Sequence, residues 1–199
     1  QDITNGKGLL NDHSNVAGTD ADIAIAYINT KGEKCLWIIE HKLTETNFTN
    51  CGGYKSDKNS NKNLCKNNCL EKIIENPQLC HYHRIGYKYW SILQSKKDLF
   101  KPLQNQKGCP FQDGTNQLFR NQMLAFALEN TNMYKHVYFS VVLHKGNTAL
   151  EKTMTKYREL ISNDIKFTSF TNSDVIDSAQ KHSNTLTDWI NWYRELYSI

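Results

Sequence analysis

The chain has 199 residues, of which 39% are apolar and 11% aromatic, so it can bury one sizeable core and is not intrinsically disordered. Its formal net charge of +4 permits nucleic-acid binding without requiring it. No stretch is typical of a membrane span or a cleavable signal peptide, so we expect no membrane partner.

Residues 1–17 are polar and weakly patterned, which indicates an N-terminal arm or the remnant of a helix. Two short apolar runs follow. The first covers residues 22–28, and the second covers residues 35–42 and ends in Glu40, His41 and Lys42. Both runs are rich in β-branched or aromatic residues and a polar turn separates them, which predicts a β-hairpin. Because alternate side chains of a strand share a face, Glu40 and Lys42 should point one way and His41 the other.

The residues that we expect to take part in a reaction lie at the ends of this hairpin. Asp22 opens the first strand, and Glu40 lies near the end of the second. Two facing carboxylates repel each other unless a cation lies between them, and Mg²⁺ suits such oxygen ligands. A lysine beside the metal can orient or deprotonate the attacking water and offset charge on a phosphate, which is the role expected for Lys42. Asp20 is an alternative first ligand, but Asp22 is preferred because it directly opens the strand.

Residues 46–115 differ from the rest of the chain. They are rich in Asn and Lys, show little apolar periodicity outside a helix predicted over Tyr82–Leu93, and are interpreted as a Cys-rich insertion. They contain the cysteines Cys51, Cys65, Cys69, Cys80 and Cys109. Since a polar insertion needs a staple to hold its shape, we expect four of these five to bind Zn²⁺ or an iron–sulfur cluster. The spacing matches no standard metal motif, so disulfides and free thiols stay open as alternatives.

Regular elements resume after the insertion. The pattern predicts a helix over residues 116–130, a buried strand over 137–143, a helix over 148–162, an edge strand over 164–170 and a final helix over 185–199. Strand–helix–strand units favour parallel pairing with right-handed crossovers. Together with the hairpin, this order predicts an α/β fold in which helices flank a mixed β-sheet.

The first of these helices begins with an unusual number of long polar side chains. They are Gln117, Arg120, Asn121 and Gln122. An arginine can clamp a phosphate through bidentate contacts. A helix whose exposed face is simply polar is the alternative.

An acid-led hairpin that ends in acid-x-Lys resembles the PD-(D/E)XK nuclease superfamily, which has the restriction-endonuclease-like fold. Asp22 matches the first acid of that motif, Glu40 the second and Lys42 the lysine, although the proline that precedes the first acid is absent. A second acid-x-Lys at residues 164–166 lacks an acid-led strand before it. The motif order is also similar to that of a bacterial family assigned as restriction endonucleases, with a cysteine-bearing insertion.

The resemblance implies one nuclease-like domain over residues 1–199, with the insertion at 46–115. It implies Mg²⁺- or Mn²⁺-dependent hydrolysis of DNA by an endo- or exonuclease, in host defence or repair in a bacterial cytoplasm, and it allows a homodimer. Asp22, Glu40 and the backbone carbonyl of His41 would hold the metal, and the superfamily sometimes adds an acid from an N-terminal helix, for which Asp12 is the candidate.

The same resemblance assigns roles to the polar helix. Lys42 and Gln122 would be catalytic, while Arg120 and Gln117 would bind the substrate. Some members of the superfamily also carry iron–sulfur clusters. Four other interpretations stay open: a non-catalytic nucleic-acid-binding module of the same fold, a protein-interaction domain with a structural zinc element, a disulfide-bonded secreted domain, and a hairpin with solvated charges at its ends.

Overall fold

A mixed β-sheet forms the centre of the molecule. The computed structural model describes residues 6–14, 18–101, 107–161 and 166–199. In those residues the sheet has four strands in the order β1-β2-β3-β4, which are Ile23–Ile28, Lys34–Lys42, His136–Leu143 and Phe167–Thr171. β1 pairs antiparallel with β2, whereas β2–β3 and β3–β4 are parallel. The predicted α/β fold with a mixed sheet and an antiparallel hairpin is confirmed.

The hairpin turn fixes which residues face each other. The Asn29 side chain accepts hydrogen bonds from the N–H groups of Lys31 and Glu33, each at 2.9 Å. Gly32 has a φ of +77°, a conformation that glycine adopts at little cost. The resulting register pairs Ile23 with Ile39. One residue further on, Asp22 therefore stands opposite Glu40.

The described residues between 46 and 114 form a series of short helices. These are α1 (Gly52–Lys55), α2 (Lys62–Asn67), α3 (Leu70–Glu75), α4 (His81–Arg84) and α5 (Tyr89–Leu93), with 3-10 turns at Pro77–Leu79 and Gln94–Leu99. Large side chains from this segment are buried in the same core as the strands: Phe48, Leu70, Ile73, Tyr89, Trp90, Leu93, Phe100 and Phe111. This segment therefore contributes to the shared core although its sequence shows little apolar periodicity. That residues 46–115 are an insertion within one domain over residues 1–199 stays a prediction.

The helix predicted over Tyr82–Leu93 is interrupted. Gly86 has a φ of +97°, which ends α4 and separates it from α5. Tyr89, Trp90 and Leu93 are nevertheless buried on one side of α5, as helical spacing requires.

The remaining helices lie after the insertion. They are α6 (Thr115–Asn130), α7 (Glu151–Leu160), α8 (Asn172–His182) and α9 (Thr187–Tyr197). α6 packs against β3 and buries Leu118, Met123 and Phe126. None of the described helices is long and apolar enough to cross a membrane.

The sequence analysis did not predict α8. Its signal is a capping box, in which the Thr171 side chain accepts from the N–H of Asp174 and the Asp174 carboxylate accepts from the N–H of Thr171. The strand predicted over residues 164–170 is β4, although Asp164 and Ile165 lie outside the described residues. Lys166, from the second acid-x-Lys, forms an ion pair with Glu129.

The packing of the insertion can be tested with Phe111. This side chain is 2% exposed and stacks on Phe119 of α6, with ring centroids 4.1 Å apart. Because Phe111→Ala opens a cavity in the shared core, the free energy of unfolding should fall by about 3–5 kcal/mol in a denaturant titration. The matched control is Ile85→Ala, since Ile85 lies in the same segment and is 50% exposed. A global stability that Phe111→Ala leaves unchanged would show that the segment folds separately.

Candidate active site

An open cleft lies at the edge of the sheet where β2 ends. Its volume is ≈ 590 Å³, and Asp22, Ile23, Glu40, His41, Lys42, Leu43, Thr44 and Glu45 line it. The three residues of the predicted motif therefore meet at one place. Asp20 does not line this cleft.

Glu40 is the buried centre of the site. It is only 5% exposed. Its Oε1 accepts from Lys42 Nζ at 2.8 Å and from Gln117 Nε2 at 2.7 Å, and its Oε2 accepts from Asn121 Nδ2 at 2.9 Å. Gln117 and Asn121 are four residues apart on α6 and thus share a helix face. Helix α6 therefore sets the orientation of the Glu40 carboxylate.

Lys42 lies on the same strand face as Glu40, as the alternation of β2 predicts. Its Nζ is 3.6 Å from Glu45 Oε1 and 5.9 Å from the centre of the Phe48 ring. Burial disfavours the ammonium, but the hydrogen bond and charge of Glu40, together with the charges of Glu45 and Asp22, outweigh it and raise the pKa of Lys42. Lys42 is therefore a cation at neutral pH in this arrangement.

Asp22 lies on the open side of the cleft. It is exposed, and its Oδ2 accepts a hydrogen bond from the N–H of His41 at 2.7 Å. This bond ties the start of β1 to the end of β2. The predicted metal contact of the His41 carbonyl stays a prediction.

Glu45 belongs to the site, although the sequence analysis did not select it. Its Oε2 accepts from the N–H groups of Leu43 and Thr44, which turns the carboxylate back toward the cleft. Burial raises the pKa of Glu45, but its backbone hydrogen bonds and the Lys42 charge outweigh this and lower it. The signal in the sequence is a third acid shortly after Glu40.

The charges of the cleft suit a divalent cation. Its lining residues carry the carboxylates of Asp22, Glu40 and Glu45 against the one ammonium of Lys42. A carboxylate has about four lone-pair positions, and three N–H donors contact Glu40, so acceptor capacity remains. Two carboxylates plus water suit Mg²⁺, which usually keeps several waters.

Two residues of α6 do not occupy their predicted places. Gln122 is 0% exposed, does not line the cleft, and neither amide atom has a hydrogen-bond partner among the described residues. It points into the core because Gln117 and Asn121 hold the helix face toward Glu40. Its predicted catalytic role finds no support in this position.

Arg120 is also turned away from the cleft. Its guanidinium donates to the Gly18 carbonyl and, at 2.8 Å, to Thr19 Oγ1, and it lies 3.8 Å from the Asp12 carboxylate. Asp12 also accepts from Tyr89 Oη at 2.6 Å. This buried network anchors the N-terminal segment to α6. Asp12 and Arg120 are therefore engaged with each other rather than with the cleft.

Gln117 and Asn121, rather than Gln122, contact the Glu40 carboxylate. Gln117 was expected to bind substrate, but its amide holds Glu40 and its Oε1 accepts from the N–H of Thr49 at 2.9 Å. Asn121 was named with Gln117, Arg120 and Gln122 among the residues that could face the metal site, without a role of its own. Gln117 and Asn121 are four residues apart, but so are Asn116 and Arg120, so only the position of Glu40 selects the first pair.

The cysteines are all free thiols in the structure. Cys35 is buried in β2. In the part of the chain that the structure describes, no group of three or more His, Cys, Asp or Glu side chains is arranged to hold a metal ion. The zinc or iron–sulfur centre therefore stays a prediction.

Comparison with known families agrees with the geometry of the cleft. A family model described as the PD-(D/E)XK nuclease superfamily matches residues 9–198, which is nearly the whole chain. Searches of curated proteins and of solved structures returned no match. Nuclease-type hydrolysis of phosphodiester bonds is the general chemistry of that superfamily, and nucleic acid is its substrate class. On the extent of this match, the chain belongs to the PD-(D/E)XK nuclease superfamily.

Proposed function

We propose that the protein is a Mg²⁺- or Mn²⁺-dependent deoxyribonuclease, endo- or exonucleolytic, that hydrolyses phosphodiester bonds of DNA. One observation carries the proposal: Asp22, Glu40 and Lys42 line a single open cleft, with Glu40 held from behind by two amides of α6. Membership of the superfamily supports a nucleic-acid substrate. A homodimer and a cytoplasmic location stay predictions, and the chemistry depends on neither.

Asp22 and Glu40 are the residues that would hold the divalent ion. They stand opposite each other across the β1–β2 pair, so their carboxylates can share one cation. When bound, such an ion polarises the phosphate and makes water nucleophilic at neutral pH. Gln117 and Asn121 fix the Glu40 carboxylate and so keep this ligand preorganised.

Lys42 contributes a charged donor at the same place. Its ammonium can donate to the attacking water and offset negative charge that develops on the phosphate. Glu45 Oε1 lies 3.6 Å from Lys42 Nζ, so the ammonium has a second carboxylate beside it in addition to Glu40. We assign Glu45 to the positioning of Lys42 rather than to the metal.

The charge of the cleft also supports a requirement for a metal. A phosphodiester approaching the carboxylates of Asp22, Glu40 and Glu45 meets an excess of negative charge, since only Lys42 opposes it. A divalent cation removes that excess. Catalysis without a cation would have to overcome this repulsion.

The first prediction tests the three motif residues. With plasmid and single-stranded DNA and Mg²⁺ or Mn²⁺, Lys42→Met should lower the cleavage rate on the order of 100-fold, the usual effect of losing one donor to the transition state. Asp22→Asn and Glu40→Gln should reduce cleavage to background because each removes a charged ligand. Asp20→Asn is the matched control and should cleave like the wild type.

Each variant must first be shown to be folded by circular dichroism and thermal melting, since Glu40 and Lys42 are buried. A wild-type protein that binds DNA but does not cleave it with either metal would support the non-catalytic module instead. Full activity in Lys42→Met, or loss of activity in Asp20→Asn alone, would contradict the assignment of the site.

The second prediction concerns the two amides of α6. Gln117→Ala and Asn121→Ala should each lower kcat about 10- to 100-fold, the usual effect of removing a side chain that orients a metal ligand. Asn130→Ala is the control, because Asn130 is an exposed residue at the far end of the same helix. A rate loss as large in Asn130→Ala would indicate damage to the helix rather than to the Glu40 carboxylate.

The third prediction separates the two roles open to Glu45. If Glu45 positions Lys42, Glu45→Gln should lower kcat by about 3- to 10-fold while the half-saturating Mg²⁺ concentration stays within about twofold of the wild type. A metal titration of the cleavage rate measures both quantities. A large rise in the half-saturating concentration would make Glu45 a metal ligand.

A further inference from the structure

Four cysteines that are far apart in the sequence come together beside the sheet. Cys51 precedes α1, Cys65 lies in α2, Cys80 precedes α4 and Cys109 lies just before the segment that leads into α6. We call these four residues the thiol cluster. Cys65 is buried, and Cys80 and Cys109 pack against the hydrophobic core. The proposed active site uses none of the four sulfur atoms.

Backbone hydrogen bonds join three members of the cluster. The N–H of Cys109 donates to the Cys65 carbonyl at 2.8 Å, and the N–H of Cys51 donates to the Gln112 carbonyl at 3.2 Å. The Gln112 side-chain amide in turn donates to the Cys65 carbonyl. Gly108 has a φ of +80°, and a Cβ there would lie 2.9 Å from the same carbonyl, so only glycine permits this close approach.

The fourth member is brought in by the packing of α1 against α4. A Cβ added at Gly53 would lie 3.3 Å from the His81 ring and 3.1 Å from Tyr82. Both helices therefore pack closely at the ends where Cys51 and Cys80 lie. The glycine at this contact allows two very short helices to approach side by side.

Members of the cluster raise the pKa values of Cys51, Cys65 and Cys109, which indicates that the four thiols lie near one another. Burial, followed by the charges of Cys80 and Cys65, raises the pKa of Cys51 to about 11. Burial and Cys80 raise the pKa of Cys65, and burial with Cys80, Cys51 and Cys65 raises that of Cys109. Every pair within the cluster thus interacts. Cys35 and Cys69 are not among the main causes of these shifts.

The cluster also has donors aimed at sulfur. The N–H of Tyr54 donates to Cys51 Sγ at 3.3 Å. The backbone of Phe111 donates to Cys109, and the Asn59 side chain donates to Cys65. N–H donors favour a thiolate over a thiol, and a thiolate is the form that binds metal.

The surrounding helices need a staple. α1, α2 and α4 contain four, six and four residues, which is too short for independent stability. We propose that Cys51, Cys65, Cys80 and Cys109 bind a structural metal centre through four thiolates, while Cys69 takes no part. Among the described residues no group of three or more His, Cys, Asp or Glu side chains is arranged to hold a metal ion, so the proposal requires the four thiolates to move closer together when the metal binds. Thiolates favour zinc or an iron–sulfur cluster over Mg²⁺, so this centre is chemically distinct from the cleft.

The test begins with the wild-type protein, purified anaerobically after growth with zinc or with iron. About one zinc ion per chain, or iron with matching labile sulfide and visible absorption, supports the site, and the two results identify the metal. Single Cys→Ser variants of the four members should each lose metal. Cys69→Ser is the matched control and should retain it.

A second measurement, made on the wild-type protein, tests the metal site even if a variant fails to fold. Wild-type protein stripped of metal should bind Co²⁺ with the intense sulfur-to-metal absorption of tetrahedral thiolate ligation, and zinc should displace it. Wild-type protein with well under one zinc or iron per chain and no such Co²⁺ spectrum would overturn the proposal. Equal metal loss in Cys69→Ser would overturn the choice of ligands. Neither outcome bears on cleavage at Asp22 and Glu40.

Discussion

The buried pair of Glu40 and Lys42 is the interaction on which the site depends. Two charges removed from water repay their desolvation only when further hydrogen bonds satisfy them, and removal of one partner of such a pair typically costs about 3–5 kcal/mol. Gln117 and Asn121 provide those bonds to Glu40. Replacement of a buried ion pair by well-packed apolar residues is often neutral or stabilising. The physical reason for placing charges here is therefore chemical, and the fold supports them with a whole helix face.

Strand geometry then decides what this pair can meet. β2 lies between β1 and β3, and its residues from Cys35 to Ile39 are all apolar and all buried except the half-buried Trp37. Charges become possible where β2 ends and the sheet opens into the cleft. The antiparallel register brings Asp22 opposite Glu40, and a slip of one residue would turn one carboxylate to the other face of the sheet. The turn at Asn29 and Gly32 thus controls the chemistry from the far end of the hairpin.

The hairpin and its charged ends could be predicted because their signals are local: apolar alternation, a polar turn and an acid at each end. The rotation of α6 about its own axis, which decides which side chains face β2, could not be predicted from the sequence. Apolar residues occur nearly all round this helix, so periodicity does not distinguish the side of Gln117 and Asn121 from that of Gln122. Only the position of Glu40 settles it. The short helices of residues 46–115 were missed for a related reason, since each contributes few residues to the core and none shows a full helical period.

The Gln117 side chain contacts both Glu40 of β2 and the chain segment that follows β2. Its amide donor holds Glu40, and its amide oxygen accepts from Thr49, which lies directly before the segment that carries Cys51. A carboxylate ligand must be held within a fraction of an ångström to favour the transition state. Movement of residues 46–51 would therefore reach Glu40 through a single side chain. Residues 46–51 are therefore the part of this segment that bears on the active site, through the contact of the Thr49 N–H with Gln117.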